Sequence, residues 1–405
     1  MQGAGRKRAQ LYPRKISWAP WPSIRAAGAI GAQTDMHIPD GYLSPATCAA
    51  LYAGSVPFWY VAARRLKKTL HTRLVPLLSV FAAFSFVIMM FNLPLPGGTT
   101  GHAVGIGVAA VVLGPWASIL AISVALLIQA LFFGDGGITA FGANAFNMGV
   151  VGSLVASGIY RAVAGQSALA SARRVVAAGL AGYGAINAAA FCAAVEFGIQ
   201  PLWFKDGTGA PLYAPYPLSI AIPAMMIGHL TFAGLAEMIV SGGVVAYLQR
   251  VDPSLLTLTA PAAPDHHAGR KEARRGGWRA TRPLWAGLAA LMIMTPLGLL
   301  AAGSAWGEWS AEDFASPEAR ASIAAASGGH APPAQTPPGL ARLASIWIAP
   351  IPDYAPPFLR HPALGYILSA MMGTGIIILA FLLAGWVARA ARRAQGSNVS
   401  HSGGS

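Results

Sequence analysis

A chain of 405 residues that is 55% hydrophobic, only 10% charged and of mean hydropathy +0.53 is not an ordinary soluble domain; it reads as an all-α polytopic membrane protein. The formal charge of +14 then has to sit in loops and tails, against membrane lipid rather than nucleic acid. Cys48 and Cys192 both fall inside apolar runs, so they suggest small packing residues and neither a disulfide framework nor a thiolate metal site.

Residues 1–35 interleave Arg6, Lys7, Arg8, Arg14, Lys15 and Arg25 with Trp18, Trp21 and three prolines, and hold no run of 18 apolar residues. Such an extension reads as a cytoplasmic arm, a cleaved leader or a mis-assigned start. It lacks the apolar centre of a secretory signal.

Next comes Met36-His37-Ile38-Pro39-Asp40-Gly41-Tyr42-Leu43-Ser44-Pro45, directly before the first membrane-length run. With Met36 as first residue, its free amine, the His37 amide nitrogen and the His37 imidazole close a five-membered and then a six-membered chelate ring. One more imidazole completes a planar four-nitrogen set, a geometry that suits Ni(II) or Cu(II) rather than zinc. His102, in Pro94-Leu95-Pro96-Gly97-Gly98-Thr99-Thr100-Gly101-His102, is the obvious fourth donor. A Met-His pair followed shortly by proline also occurs with no metal role.

Apolar runs of about the 20 residues that cross a bilayer as a helix follow at Ser44–Ala63, Leu74–Leu93, Pro115–Phe133, Gly142–Val163, Val175–Phe197 and Leu218–Leu248, with a short Gly-rich run at His102–Leu113. This predicts a seven-helix core. A polar basic linker at 251–282 leads to two additional transmembrane helices, Pro283–Ala302 and Pro362–Ala388, which flank a Pro- and Ala-rich stretch. The domain plan is therefore an extension at 1–35, a core at 36–250, the linker, a two-helix region at 283–393, and a polar tail at 394–405 expected to be disordered.

Charge placement orients these spans. With the Met-His end outside, the inner loops hold eighteen Lys and Arg, from Arg64 to Arg393, and the outer segments after Met36 hold only Lys205, Arg320, Arg342 and Arg360. That is the positive-inside bias. The six basic residues before Met36 would lie on the wrong side, an argument against their belonging to the mature chain.

The same topology puts the Gly97–His102 and Gly134–Asn147 loops beside the Met-His segment, either as plain turns or as backbone closing over a small ion. Asn144 and Asn147, three apart on one helix face, are expected to hold His37 or the loop backbone by hydrogen bonds rather than to touch an ion. Asp135 is a further candidate partner, or simply a turn former. His229 and Glu237 lie inside a predicted span, where ionisable groups suggest interhelical hydrogen bonds, contact with a partner subunit, or a place on the ion path. Trp306 and Trp309 suit a membrane interface. The chain has no Gly-x-x-x-x-Gly-Lys-Ser/Thr phosphate loop, so ATP-driven work would need other subunits. Nothing assembles a catalytic acid-base pair.

Met36 to Pro45, Phe91 to His102, and Phe133-Gly134-Asp135-Gly136-Gly137-Ile138 through Asn144-Ala145-Phe146-Asn147-Met148 resemble the CbiM/NikM family, the substrate-binding (S) components of energy-coupling-factor uptake systems for nickel and cobalt. Ala305-Trp306-Gly307-Glu308-Trp309-Ser310 and Ile351-Pro352-Asp353-Tyr354 resemble the small accessory subunit of nickel systems, NikN or PDGLE type, fused here to the core. The resemblance implies Met36, His37 and His102 as metal ligands. It also implies Ni2+ or Co2+ as cargo with no prosthetic group, and as partners two ATP-binding-cassette ATPases and a coupling (T) membrane protein. The implied setting is the cell (inner) membrane, with the metal end extracytoplasmic. The alternative reading is an autonomous secondary metal transporter or channel.

Overall fold

The computed structural model describes residues 37–69, 74–95, 98–259, 278–301 and 303–401. Met36, the basic extension before it and residues 260–277 of the linker lie outside the described residues.

Helix α1, Pro45–Thr69, begins where proline supplies the fixed φ of a first turn and the Ser44 hydroxyl accepts from the Thr47 N–H (3.1 Å). Its 25 residues reach about 37 Å, from the His37 segment to Arg64, Arg65 and Lys67 at the other end. Helix α2 is Leu74–Ile88, and strands β1, Leu93–Leu95, and β2, Thr99–Gly101, pair antiparallel with Leu93 opposite Gly101. Helices α3, Ile106–Leu113, and α4, Pro115–Ile128, follow, the latter continuing as a π turn over Gln129–Phe133. Helix α5, Phe141–Asn144, passes through a π turn, Ala145–Gly152, into α6, Ser153–Ala164. The Ser171 side chain caps α7, Ala172–Trp203. Helix α8, Leu218–Gly228, joins α9, Gly234–Val251, through a third π turn, His229–Ala233. The last elements are α10, Trp278–Met294, α11, Pro317–Ala326, α12, Pro338–Leu343, and α13, Pro362–His401.

Among the described residues the structure is all-α, as expected, apart from that hairpin and two isolated β-bridges. Among the described residues five helical segments are long and apolar enough to cross a membrane: Pro115–Phe133, Ala172–Trp203, Leu218–Val251, Arg282–Leu300 and Pro362–Val387. Ile239, Ile293 and Leu379 point outward from three of these, as expected of lipid-facing helices. The core is packed by small residues where helices meet. A Cβ at Gly107 of α3 would stand 2.6 Å from the Gly182 Cα of α7, so only glycine permits that approach.

Three expectations change. The short run at His102–Leu113 contains a helix of only eight residues, buried on every side, whose length of about 12 Å cannot cross a core of about 30 Å. Trp306 and Trp309 do not face outward as interfacial rings would; each is 6% exposed and packs in one cluster with Tyr42, Phe197 and Tyr216. The Pro- and Ala-rich stretch forms α11 and α12, and α13 runs on through Gln395–His401, residues expected to be a disordered tail. The accessory stretch thus folds onto the end of the bundle where the His37 segment lies, and Thr100 N–H donates to Ser304 C=O (3.2 Å) beside the hairpin.

Candidate metal centre

The segment after Met36 has no regular structure of its own, so its backbone groups need partners from elsewhere. Asn144 supplies two: its Oδ1 accepts from Ile38 N–H (3.0 Å) and its Nδ2 donates to Ile38 C=O (3.1 Å). Gly137 N–H donates to the same carbonyl (2.9 Å). Asp40 accepts from Ile138 N–H (3.1 Å) and from the N–H (2.7 Å) and hydroxyl of Thr139. The Tyr42 hydroxyl donates to Trp309 C=O (2.9 Å). The loop at 134–140 and this segment therefore form one unit.

Glycine is required where they touch. Gly136 has φ +86°, and a Cβ there would sit 2.9 Å from the His37 Cβ. The neighbouring Asp135 side chain, 2% exposed, lies 2.7 Å from His37 Nδ1. Its other oxygen accepts from the Tyr354 hydroxyl (2.6 Å) and from Gln129 Nε2 (3.2 Å), which also donates to the Tyr354 oxygen (2.9 Å). Burial and the Asp135 carboxylate push the Tyr354 phenol well above its ordinary value, which keeps it a donor. Tyr354 takes φ +57°, uncommon outside glycine, and its ring stacks on Phe133 at 4.9 Å. An accessory-region residue thus reaches the group that orients His37.

His102 is held from within the bundle. Its Nδ1 lies 3.0 Å from Ala103 C=O, and the next turn is fixed by Glu237. That carboxylate, fully buried in α9, accepts from Val104 N–H (2.8 Å), Gly105 N–H (2.8 Å) and Gly107 N–H (3.1 Å), the unsatisfied donors at the start of α3. Of the alternatives for Glu237, hydrogen bonding between elements is the one observed.

The two imidazoles meet edge to face, their centres 5.2 Å apart. They line a cavity of about 90 Å³, room for a divalent ion with several waters, together with Asn147, His229, Trp306 and Glu308. His37 Nε2 is buried without a hydrogen-bond partner, as is Asn147 Oδ1. Each π turn carries a residue of this neighbourhood: Gln129, Asn147 and His229. Insertions of this kind recur at functional sites because they turn one side chain off the regular helix face. No three His, Cys, Asp or Glu side chains among the described residues form a metal-holding group.

His37, His102, Asp135, Asn144 and Asn147 are therefore all at one end of the bundle. Asn144 holds loop backbone as expected, and Asp135 is more than a turn former. Asn147 does neither of the things expected of it; its Nδ2 donates to Glu196 Oε2 (2.8 Å). Sequence reasoning missed Asp40, Gln129, Tyr354 and Glu308. The Ile-Pro-Asp-Tyr and Trp-Gly-Glu-Trp stretches were the signal for the last two.

These features define a class: a multi-pass helical membrane protein with a polar, imidazole-lined cavity at one end of its bundle. The chain belongs to the family of the cobalt uptake substrate-specific transmembrane region, whose model matches residues 37–255, and a PDGLE domain follows at residues 281–390. It is similar to the fused nickel transport protein NikMN of Rhodobacter capsulatus, 59% identical over 360 residues, 89% of this chain and 100% of that protein. The probable fused nickel transport protein LarMN of Lactiplantibacillus plantarum is 44% identical over 281 residues, 69% of this chain and 79% of that one. A crystal structure of a transition metal transporter covers 60% of this chain and 100% of its own at 47% identity and a TM-score of 0.52. The family read from the three loops is thereby shown, and so is the fused accessory region.

Proposed function

We propose that the chain captures a divalent transition metal ion, Ni2+ in preference to Co2+, and carries it across the cell (inner) membrane. In this reading it is the substrate-binding component of an ATP-driven energy-coupling-factor system. The observation that carries it is the convergence of His37 and His102 on one cavity, with His37 Nε2 buried and unpartnered. The nickel preference draws on the nickel transport proteins named above and on the nitrogen-rich donor set. The chain lacks a phosphate loop, so two ATP-binding-cassette ATPases and a coupling membrane protein supply the energy. Their contact surface is the basic end of α1, with the metal end extracytoplasmic.

The ligands are Met36, His37 and His102, of which Met36 lies outside the described residues. A six-membered chelate closes through His37 Nδ1, which here lies on Asp135. Forming the planar four-nitrogen complex thus exchanges the Asp135 contact for the ion, whereas binding through Nε2 keeps it and lets the carboxylate fix the tautomer. A yellow to orange, diamagnetic nickel complex marks the first mode; a paramagnetic one marks the second.

The amine of Met36 is a donor only in a chain that starts there, which intact mass of the protein from its native gene reads directly. Binding through an amine of pKa about 7.7 to 8.0 weakens steeply as pH falls. Tight binding of one ion by the purified chain, with no ion movement in liposomes until the partner subunits and ATP are added, is the expected result. Movement without them would favour an autonomous transporter or channel.

A further inference from the structure

Asn147 is 2% exposed, sits on the π turn Ala145–Gly152, and lines the cavity shared by His37 and His102. Its two amide atoms have opposite fates: Nδ2 donates to Glu196 Oε2 at 2.8 Å, while Oδ1 is buried with no hydrogen-bond partner. A buried carbonyl oxygen left this way is destabilising unless something binds it. With Glu196 ionised, turning the amide over would set its oxygen against a carboxylate; Glu196 is itself 7% exposed in α7. Another such atom on a residue lining this cavity is His37 Nε2, also a lone-pair donor. Unpartnered lone pairs on residues that line one small cavity fit a cation.

We propose that Asn147 Oδ1 is a direct oxygen donor to the divalent ion, aimed and polarised by Glu196. This rests on the metal-binding reading and adds a ligand to it. An amide oxygen replaces a water of an arriving hydrated ion at little loss. Its weight then differs between metals. With His37 bound through Nδ1, a planar nickel complex is complete with four nitrogens, whereas Co(II) takes further donors above and below such a plane, and oxygens serve. Asn147 therefore governs acceptance of cobalt more than of nickel.

The test is titration of the full-length protein in detergent with Ni(II) and with Co(II), comparing the parent with Asn147→Leu and Asn147→Asp. Asn147→Leu should lose about tenfold or more in Co(II) affinity while Ni(II) affinity stays within about threefold. Asn147→Asp, which keeps an oxygen, should retain Co(II) binding. The visible spectrum of bound Co(II) should shift toward lower coordination in Asn147→Leu alone. Equal losses for both metals, no loss for either, or loss of Co(II) in Asn147→Asp would overturn the proposal. A parent chain that binds neither metal would instead overturn the metal site itself.

Discussion

His37 and His102 face one cavity but are supported in different ways. His102 leads into a turn tied by a single carboxylate, Glu237, to the start of α3 in the middle of the bundle. His37 belongs to a segment without regular structure, held by Asn144 and Asp135, by Ile138 and Thr139 through Asp40, and by the accessory region through Tyr42 and Tyr354. One imidazole is therefore built into the core fold, and the other is placed by parts from 98 to more than 300 residues away in the chain. The difference teaches that the accessory region does not merely follow the core; it is part of what orients the first histidine.

The strongest way to break that contrast is Glu237→Leu. It leaves three buried N–H groups without an acceptor, at about 1 to 3 kcal/mol each, and should abolish a cooperative thermal transition in detergent. A transition near that of the parent would remove the claim that Glu237 fixes the His102 turn. Next in size is Asn144→Leu, which frees both backbone groups of Ile38. Metal affinity should fall more than tenfold, about 1.4 kcal/mol, while the bundle stays folded, since the loss is confined to the His37 segment. Equal affinity in calorimetric titration would contradict that support.

Tyr354→Phe should act more gently. It removes a hydrogen bond to a carboxylate, about 1.5 to 3 kcal/mol in stability, but Gln129 still reaches Asp135. Metal affinity should then change by less than about tenfold, with binding stoichiometry intact. The smallest effect concerns alkaline pH. Burial raises the Tyr354 and Tyr42 phenols well above 10.0, so the folded chain keeps protons that the unfolded chain gives up. Stability contributed by these groups is complete below about pH 10 and declines as pH rises beyond it. Thermal scans at rising pH should show this decline, with a shallower slope in Tyr354→Phe.

How far the sequence disclosed this arrangement depends on the length scale of the signal. Apolar runs reported the long helices because a membrane-crossing helix needs about 20 apolar residues, wherever it packs. The short α3 misled for the same reason: hydropathy sees burial, and cannot tell a buried eight-residue helix from part of a span. The histidines were singled out by the resemblance of Met36 to Pro45 and Phe91 to His102 to the CbiM/NikM family, since a Met-His pair alone also occurs with no metal role. Tyr354 and Glu308 were not: the Ile-Pro-Asp-Tyr and Trp-Gly-Glu-Trp stretches signalled the accessory region, but nothing in them said that it reaches a distant cavity. The tryptophans were read as interfacial because their amphipathic ring suits water and lipid equally, and only packing shows them turned inward. Asn147 was seen, yet its partner Glu196, 49 residues on, decides which of its amide atoms faces the cavity.

The central claim is that His37 and His102 hold the ion together. It is tested most directly by calorimetric titration of nickel into the purified chain and into His37→Ala and His102→Ala, with thermal stability measured on the same samples. The account predicts one ion per chain in the parent and none in either variant, with folded bundles throughout. Unchanged stoichiometry and affinity in His102→Ala would contradict it.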